Sequence, residues 1–164
     1  MTTDMNAGAA DHAAIEDLDW QARTAFYALL VAEGRPPTIP ELAATLHSST
    51  ERTELALLRL HQRHALFLEP APSPIAVRMA HPFSMVPTRF RVTAAGRTFW
   101  ANCAWDMLGI PAALHTDAAI EAQFGDALDD PVTMRIRGGQ LEAHGEVVHF
   151  PLPFRVWYDD LIRT

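Results

Sequence analysis

The stretch "FWANCAWDMLGIPAAL", Phe99–Leu114, holds the only cysteine of the chain, Cys103, with Asp106 three positions later in an otherwise apolar run that includes Trp100 and Trp105. Residues 97–108 have a helical pattern, with Gly109 and Pro111 as its expected end. On a helix, positions 103 and 106 share a face, so one ligand can touch both side chains. A thiolate is a soft nucleophile and a strong ligand for soft metals. A carboxyl in apolar surroundings can hold a proton and deliver it. The pair therefore suits chemistry in which sulfur captures a soft electrophile while the acid protonates a leaving group. The residues alone leave a second reading open. Free cysteine is among the most buried residue types, and a carboxylate near a helix end is commonly just solvated.

Upstream, "AHPFSMVPTRFRVT" carries two prolines and alternating apolar positions, which predicts an irregular segment leading into an edge strand. Downstream, "AAIEAQF", "VTMRIRG" and "QLEAHGEVVHF" alternate as strands do, with Gly138 and Gly139 as a hairpin turn between the last two. The tail "FRVWYDDLIRT" fits either a short helix or an extended cover.

The amino-terminal half has a different rhythm. Residues 1–16 are rich in Ala, Asp and Thr without an apolar period, and are expected to form a flexible arm. From Leu18 a helical period runs through Trp20, Phe26 and Leu30 and is stopped by Gly34, Pro36 and Pro37. Thr38 and Glu41 have capping-box spacing ahead of a short helix, and Ser49 caps a third, in which Leu55, Leu58 and Leu60 point roughly one way. "ALFLEP" and "IAVRM", flanking "PAPSP", predict two short strands. Three helices and a ribbon over residues 17–79 form a winged-helix-like layout, so a transcription regulator is one reading of the chain. Against it, Glu51 and Glu54 offset Arg52 on the third helix, where a DNA reader needs a phosphate-seeking face.

Composition bounds the rest. The 164 residues, 49% hydrophobic and 20% charged, suffice for a true core. All 13 basic residues are arginine, and the net charge of -7 argues against a general nucleic-acid binder. One cysteine excludes an intramolecular disulfide, and neither a signal-peptide pattern nor an apolar run near 18 residues is present. A cytoplasmic protein off the membrane is expected, with a reduced thiol.

Taken together, "PFSMVPTRFRV" at 82–92 and "FWANCAWDMLGIPAAL" at 99–114, following "EGRPPTIPELAATL", resemble the organomercurial (alkylmercury) lyase family. The likeness covers most of residues 20–164. It implies an α+β fold, with a winged-helix-like helical part packed on a domain of antiparallel strands and helices over residues 80–164. It also implies cleavage of a carbon–mercury bond. Cys103 matches the thiolate that takes the mercury, and Asp106 matches the acid that protonates the leaving carbon, with both holding the metal transiently. Mercury is then substrate rather than cofactor, no protein-bound cofactor is implied, and the partners are a small organomercurial and cellular thiols.

One departure stands beside the match. The family's second cysteine lies near the carboxyl end, after the last strands, and this chain has none there. A divergent member, or a native chain that continues past Thr164, would each account for it. Linear two-thiolate coordination holds a soft ion, so with one thiolate other groups must substitute. By chemistry the candidates are His81, His115, His144, His149, Met79, Met85 and Met107, none singled out by spacing. Weakened lyase activity and non-catalytic binding of a soft metal or small ligand are therefore both open. The residues do not indicate an oligomeric state.

Overall fold

Gly34, at φ 71°, donates its N–H to the Leu30 carbonyl at 2.8 Å and closes the first helix, α1 (Met5–Glu33), as glycine does where a left-handed residue is needed. In the computed structural model the described residues are 5–70, 72–124, 131–142, 145, 147–150, 153 and 157. They divide into two compact units, Met1–Ala80 and His81–Thr164. The expected α+β character holds, with helices alongside antiparallel strands.

In the first unit α1 begins at Met5, inside the stretch expected as a loose arm. The alanines at 7, 9, 10, 13 and 14 have the highest helix propensity and carry the helix through without an apolar period. Residues 1–4 lie outside the described set. The buried stripe of α1 is Ala22, Phe26 and Leu30, spaced at four, and it packs on α3 (Thr50–Gln62). Between them sits α2 (Ile39–Thr45), opened by the expected capping box: the Thr38 hydroxyl accepts from the Glu41 amide, and the Glu41 carboxylate accepts from the Thr38 amide at 2.7 Å. Ser49 caps α3, accepting from the Arg52 amide at 3.2 Å. The face α3 buries is Thr53, Ala56, Leu57 and Leu60; Leu55, expected inward, is 53% exposed. Of the expected leucines, Leu60 lies in that stripe and Leu58 is half-buried. The ribbon is β1 (Phe67–Leu68) with β2 (Val77–Ala80), antiparallel, Phe67 opposite Met79.

A buried ion pair ties this unit together. Asp19, fully buried on α1, accepts from Arg59 Nε at 3.0 and 3.1 Å and from Arg59 Nη2 at 2.6 Å, and Arg63 adds a longer contact at 3.4 Å. Both arginines lie at the carboxyl end of α3, so their guanidinium groups turn toward α1.

The second unit is an antiparallel sheet in the order β3-β5-β4-β6-β7-β8: β3 (Phe83–Ser84), β4 (Phe90–Ala94), β5 (Arg97–Ala101), β6 (Ala118–Ala122), β7 (Val132–Arg137) and β8 (Gln140–Glu142). Its buried face takes alternate residues: Val92 and Ala94, Phe99 and Ala101, Ala118, Ile120 and Ala122, Met134 and Ile136. Val92 lies opposite both Phe99 and Ile120. The helix α4 (Ala104–Leu114) packs across β4, β5 and β6 with Met107, Ile110 and Pro111 buried, the first two worth about 1.5–3 kcal/mol of burial each. The outer face carries polar partners such as Arg91 and Glu121, at 2.6 Å.

Three expectations need correction here. β4 is a central strand, not an edge: the prolines at 82 and 87 precede it, so its amides are free to pair with β5 on one side and β6 on the other. Residues 97–101 are a strand, not the start of a helix. Ala95 and Gly96, both at positive φ (51° and 72°), form the two-residue turn that folds β5 back onto β4. The helix also does not end at Gly109 or Pro111 but at Leu114, with His115 as left-handed cap at φ 49°. Burial of Ile110 and Pro111 under the sheet overrides the local cost of an interior proline. The Gly138–Gly139 hairpin joins β7 to β8 as expected, but described strand pairing after it ends at Glu142. The tail at 154–164 lies outside the described residues except Trp157.

Candidate functional site

The shift of the helix start changes what Cys103 and Asp106 are to each other. Cys103 is the N-cap of α4, with extended backbone (φ -149°, ψ 179°), and Asp106 is its third helical residue. This is the spacing of a capping pair, so the two side chains still meet, now over the open end of the helix. The Cys103 side chain closes no capping hydrogen bond. The amides of Trp105 and Asp106 nevertheless face the sulfur and favour its thiolate. Two effects outweigh them. Burial of the thiol pushes its pKa up from the ordinary 9.0, and the negative charge of Asp106 pushes it further the same way.

The Asp106 carboxyl is largely buried and is held by two neighbours on one oxygen. Asn102 Nδ2 donates to Oδ2 at 3.0 Å, and His81 Nδ1 lies 3.3 Å from the same atom. His81 comes from a turn distant in sequence, which reaches α4 because Gly109 has no side chain: a Cβ there would lie 3.1 Å from the Pro82 Cβ. On the other flank Thr88 Oγ1 donates to the Ala101 carbonyl at 2.6 Å and accepts from the Phe90 amide at 3.2 Å, fixing the end of β5 just before Asn102. Beyond the helix start, the half-exposed Trp105 ring meets Phe150 at 6.0 Å, and Phe150 stacks on Trp157 at 5.4 Å.

Among the described residues weighed as substitutes for the second thiolate, His81 has a contact with Asp106. Met107 is core under the sheet, and His115 caps the far end of α4, about 16 Å along an 11-residue helix. Met85 follows β3, His149 is exposed, and Met79 belongs to the ribbon of the first unit. His144 lies outside the described residues. Asn102 went unnoticed in the sequence, although it adjoins Cys103. Among the described residues no three His, Cys, Asp or Glu side chains form a ready-made metal cluster. Cavities of about 310 Å³ (beside Gly96, Asp117 and Arg135) and about 410 Å³ (beside Leu29, Pro37 and Glu41) involve neither Cys103 nor Asp106. No described helix is long and apolar enough to cross a membrane.

Residues 83–161 match the model of the alkylmercury lyase family, a span that contains Cys103, Asp106 and Asn102. Among solved structures, the chain is similar to the mercury-bound form of MerB2, with a TM-score of 0.59 and 23% identity over 77% of this chain. It spans 59% of the length of that structure, and at this identity the likeness is one of fold. A search of curated proteins finds no match. Residues 83–161, which hold the strands of the second unit and the helix that Cys103 opens, are thus similar to the alkylmercury lyase family.

Proposed function

We propose that the protein cleaves the carbon–mercury bond of organomercurials, with Cys103 as the mercury-capturing nucleophile and Asp106 as the proton donor. The observation that supports it is their pairing as N-cap and third residue of α4 within the family-matched segment. In the first step Cys103 gives its proton to the Asp106 carboxylate as its sulfur displaces the anion X from R–Hg–X, forming R–Hg–S and releasing X⁻. In the second, the Asp106 proton passes to the carbon bound to mercury. The C–Hg electron pair becomes the new C–H bond, R–H departs, and a carboxylate remains. Hg(II) stays on the sulfur until an external thiolate and an external thiol remove it, the thiol's proton returning to the Cys103 sulfur. With one thiolate in the chain, those external thiols also supply the second sulfur that linear mercury prefers. Mercury enters and leaves as substrate and product, and no resident cofactor takes part.

The deciding assay is benzene release from phenylmercury with excess thiol. Turnover by the wild type and none by Cys103→Ser is the expected result, and release no greater than the Cys103→Ser background refutes it. The lone thiolate also favours a second reading, in which the same site binds a soft ion without turnover. Stoichiometric Hg(II) binding lost in Cys103→Ser, with no benzene release, would support that instead. The transcription-regulator reading loses ground, because Arg59 and Arg63 are engaged by Asp19.

A further inference from the structure

We propose that Asn102 is a positioning residue that, together with His81, reserves Oδ2 of Asp106 as a hydrogen-bond acceptor, so that the proton to be transferred sits on Oδ1. This rests on the lyase reading of Cys103 and Asp106 and names a part of the machinery outside that pair. Oδ2 receives Asn102 Nδ2 at 3.0 Å and faces His81 Nδ1 at 3.3 Å. A carboxylic acid has one oxygen that only accepts and one that carries hydrogen. With the Asn102 amide donating to Oδ2, and His81 donating there in its Nδ1–H tautomer, the hydrogen belongs on the other oxygen.

The Asn102 amide itself is the second observation. Its Nδ2 is engaged, but its Oδ1 is buried and accepts no hydrogen bond among the described residues. A buried acceptor without a partner is destabilising, and an apolar side chain of the same size would avoid that cost. A residue that works against stability at one atom while gripping the candidate acid with the other fits a site shaped for function. Its backbone is fixed on both sides, by the Thr88 clasp on Ala101 and by the helix that starts at Cys103.

The chemistry gives this grip a direction. As the proton leaves Oδ1 for carbon, the C–Hg pair becomes the C–H bond and negative charge grows on the carboxylate. Hydrogen bonds to Oδ2 then become charge-assisted and strengthen in the transition state. Their loss lowers kcat and leaves KM and mercury capture in place.

The experiment uses the full chain with phenylmercury and excess thiol. For Asn102→Leu, benzene release is expected to slow about tenfold or more, with unchanged KM, unchanged consumption of the Cys103 thiol on adding phenylmercury, and a thermal midpoint equal to or above wild type. Asn102→Gln, which keeps an amide N–H, falls between the two in rate. A kcat within twofold of wild type in Asn102→Leu overturns the proposal. So does a slowing matched in both variants by a lowered thermal midpoint, since that is a merely structural role. A readout independent of turnover is the Asn102 side-chain amide signal in ¹H–¹⁵N spectra. One Nδ2 proton is expected to be exchange-protected in the wild type and to lose that protection in Asp106→Leu, and identical signals in the two would refute the grip. If the wild type releases no benzene, the lyase reading fails, and the amide signal alone then decides whether Asn102 holds Asp106.

Discussion

Replacing Arg59 by Met tests how the first unit is held together. Met keeps most of the apolar stem and removes the guanidinium, leaving Asp19 wholly buried with only the 3.4 Å contact to Arg63. Removing one partner of a buried pair typically costs about 3–5 kcal/mol, because the other charge stays uncompensated. Arg63 can move closer, so the lower end, about 3 kcal/mol, is expected. The reverse change is milder. Asp19→Asn keeps the shape and leaves two guanidinium groups whose side chains are 27% and 39% exposed and therefore partly hydrated, so about 1–2 kcal/mol is expected. Asp19→Leu with Arg59→Met removes both charges and should recover most of the loss. Urea unfolding followed by far-UV circular dichroism measures all three, and equal m-values make them comparable. An Arg59→Met cost below about 1 kcal/mol, or Asp19→Asn costing more than Arg59→Met, would refute this account of the pair.

Three further outcomes follow from the charges. Because burial and then Asp106 raise the Cys103 pKa above its unfolded value near 9.0, the stability this thiol contributes is complete below about pH 9 and lost as pH rises through the folded value. Unfolding curves of the wild type should weaken over that alkaline range, and those of Cys103→Ser should lack this component. Asp106→Asn removes the charge that opposes the thiolate, so alkylation of Cys103 by iodoacetamide at pH 8 should quicken several-fold, and an unchanged or slower rate contradicts the electrostatics. The Glu41 carboxyl is held down at about 2, first by its hydrogen bond from Arg35 and then by those from Thr38, so its NMR titration should show a midpoint near that value and move toward 4.5 in Arg35→Ala. Its contribution to α2 is present above the unfolded carboxyl range and fades as pH falls toward 2.

Local punctuation made the first unit legible from sequence. Gly34 with Pro36 and Pro37, the Thr38–Glu41 box and Ser49 each act within a few residues, and the structure has the helix ends they predict. The Phe99–Cys103 segment defeated the same method because a short apolar run fits a helix or a buried strand equally well. What decides it is pairing with β4, enforced by Ala95 and Gly96, and that is not a property of the run itself. Pro111 misled for a related reason, since packing under the sheet is a tertiary effect that a breaker residue does not announce. The Cys103–Asp106 pairing survived the wrong helix start, because three residues of separation brings side chains together both within a helix and across its N-cap. His81 reaches Asp106 from 25 positions away, so no spacing rule could have selected it over the other histidines. Asn102 was in plain view beside Cys103, but an asparagine in an apolar run has many bland explanations until its donor is seen on Oδ2.

The corrected helix start also changes how the lone thiol would work. A cysteine at a helix N-terminus usually has its thiolate favoured by the open amides, and Trp105 and Asp106 supply that pull here. Burial and the Asp106 charge act against it and prevail, so the free sulfur is disfavoured as an anion. A mercurial reverses the balance. Once R–Hg⁺ bonds to sulfur the adduct is neutral, burial no longer penalises it, and Asp106 no longer faces a second negative charge. On the proposed reading, the features that disfavour the thiolate weigh equally little on the two neutral forms, the protonated thiol and the mercury adduct, so capture exchanges one neutral sulfur species for another while the displaced proton passes to Asp106.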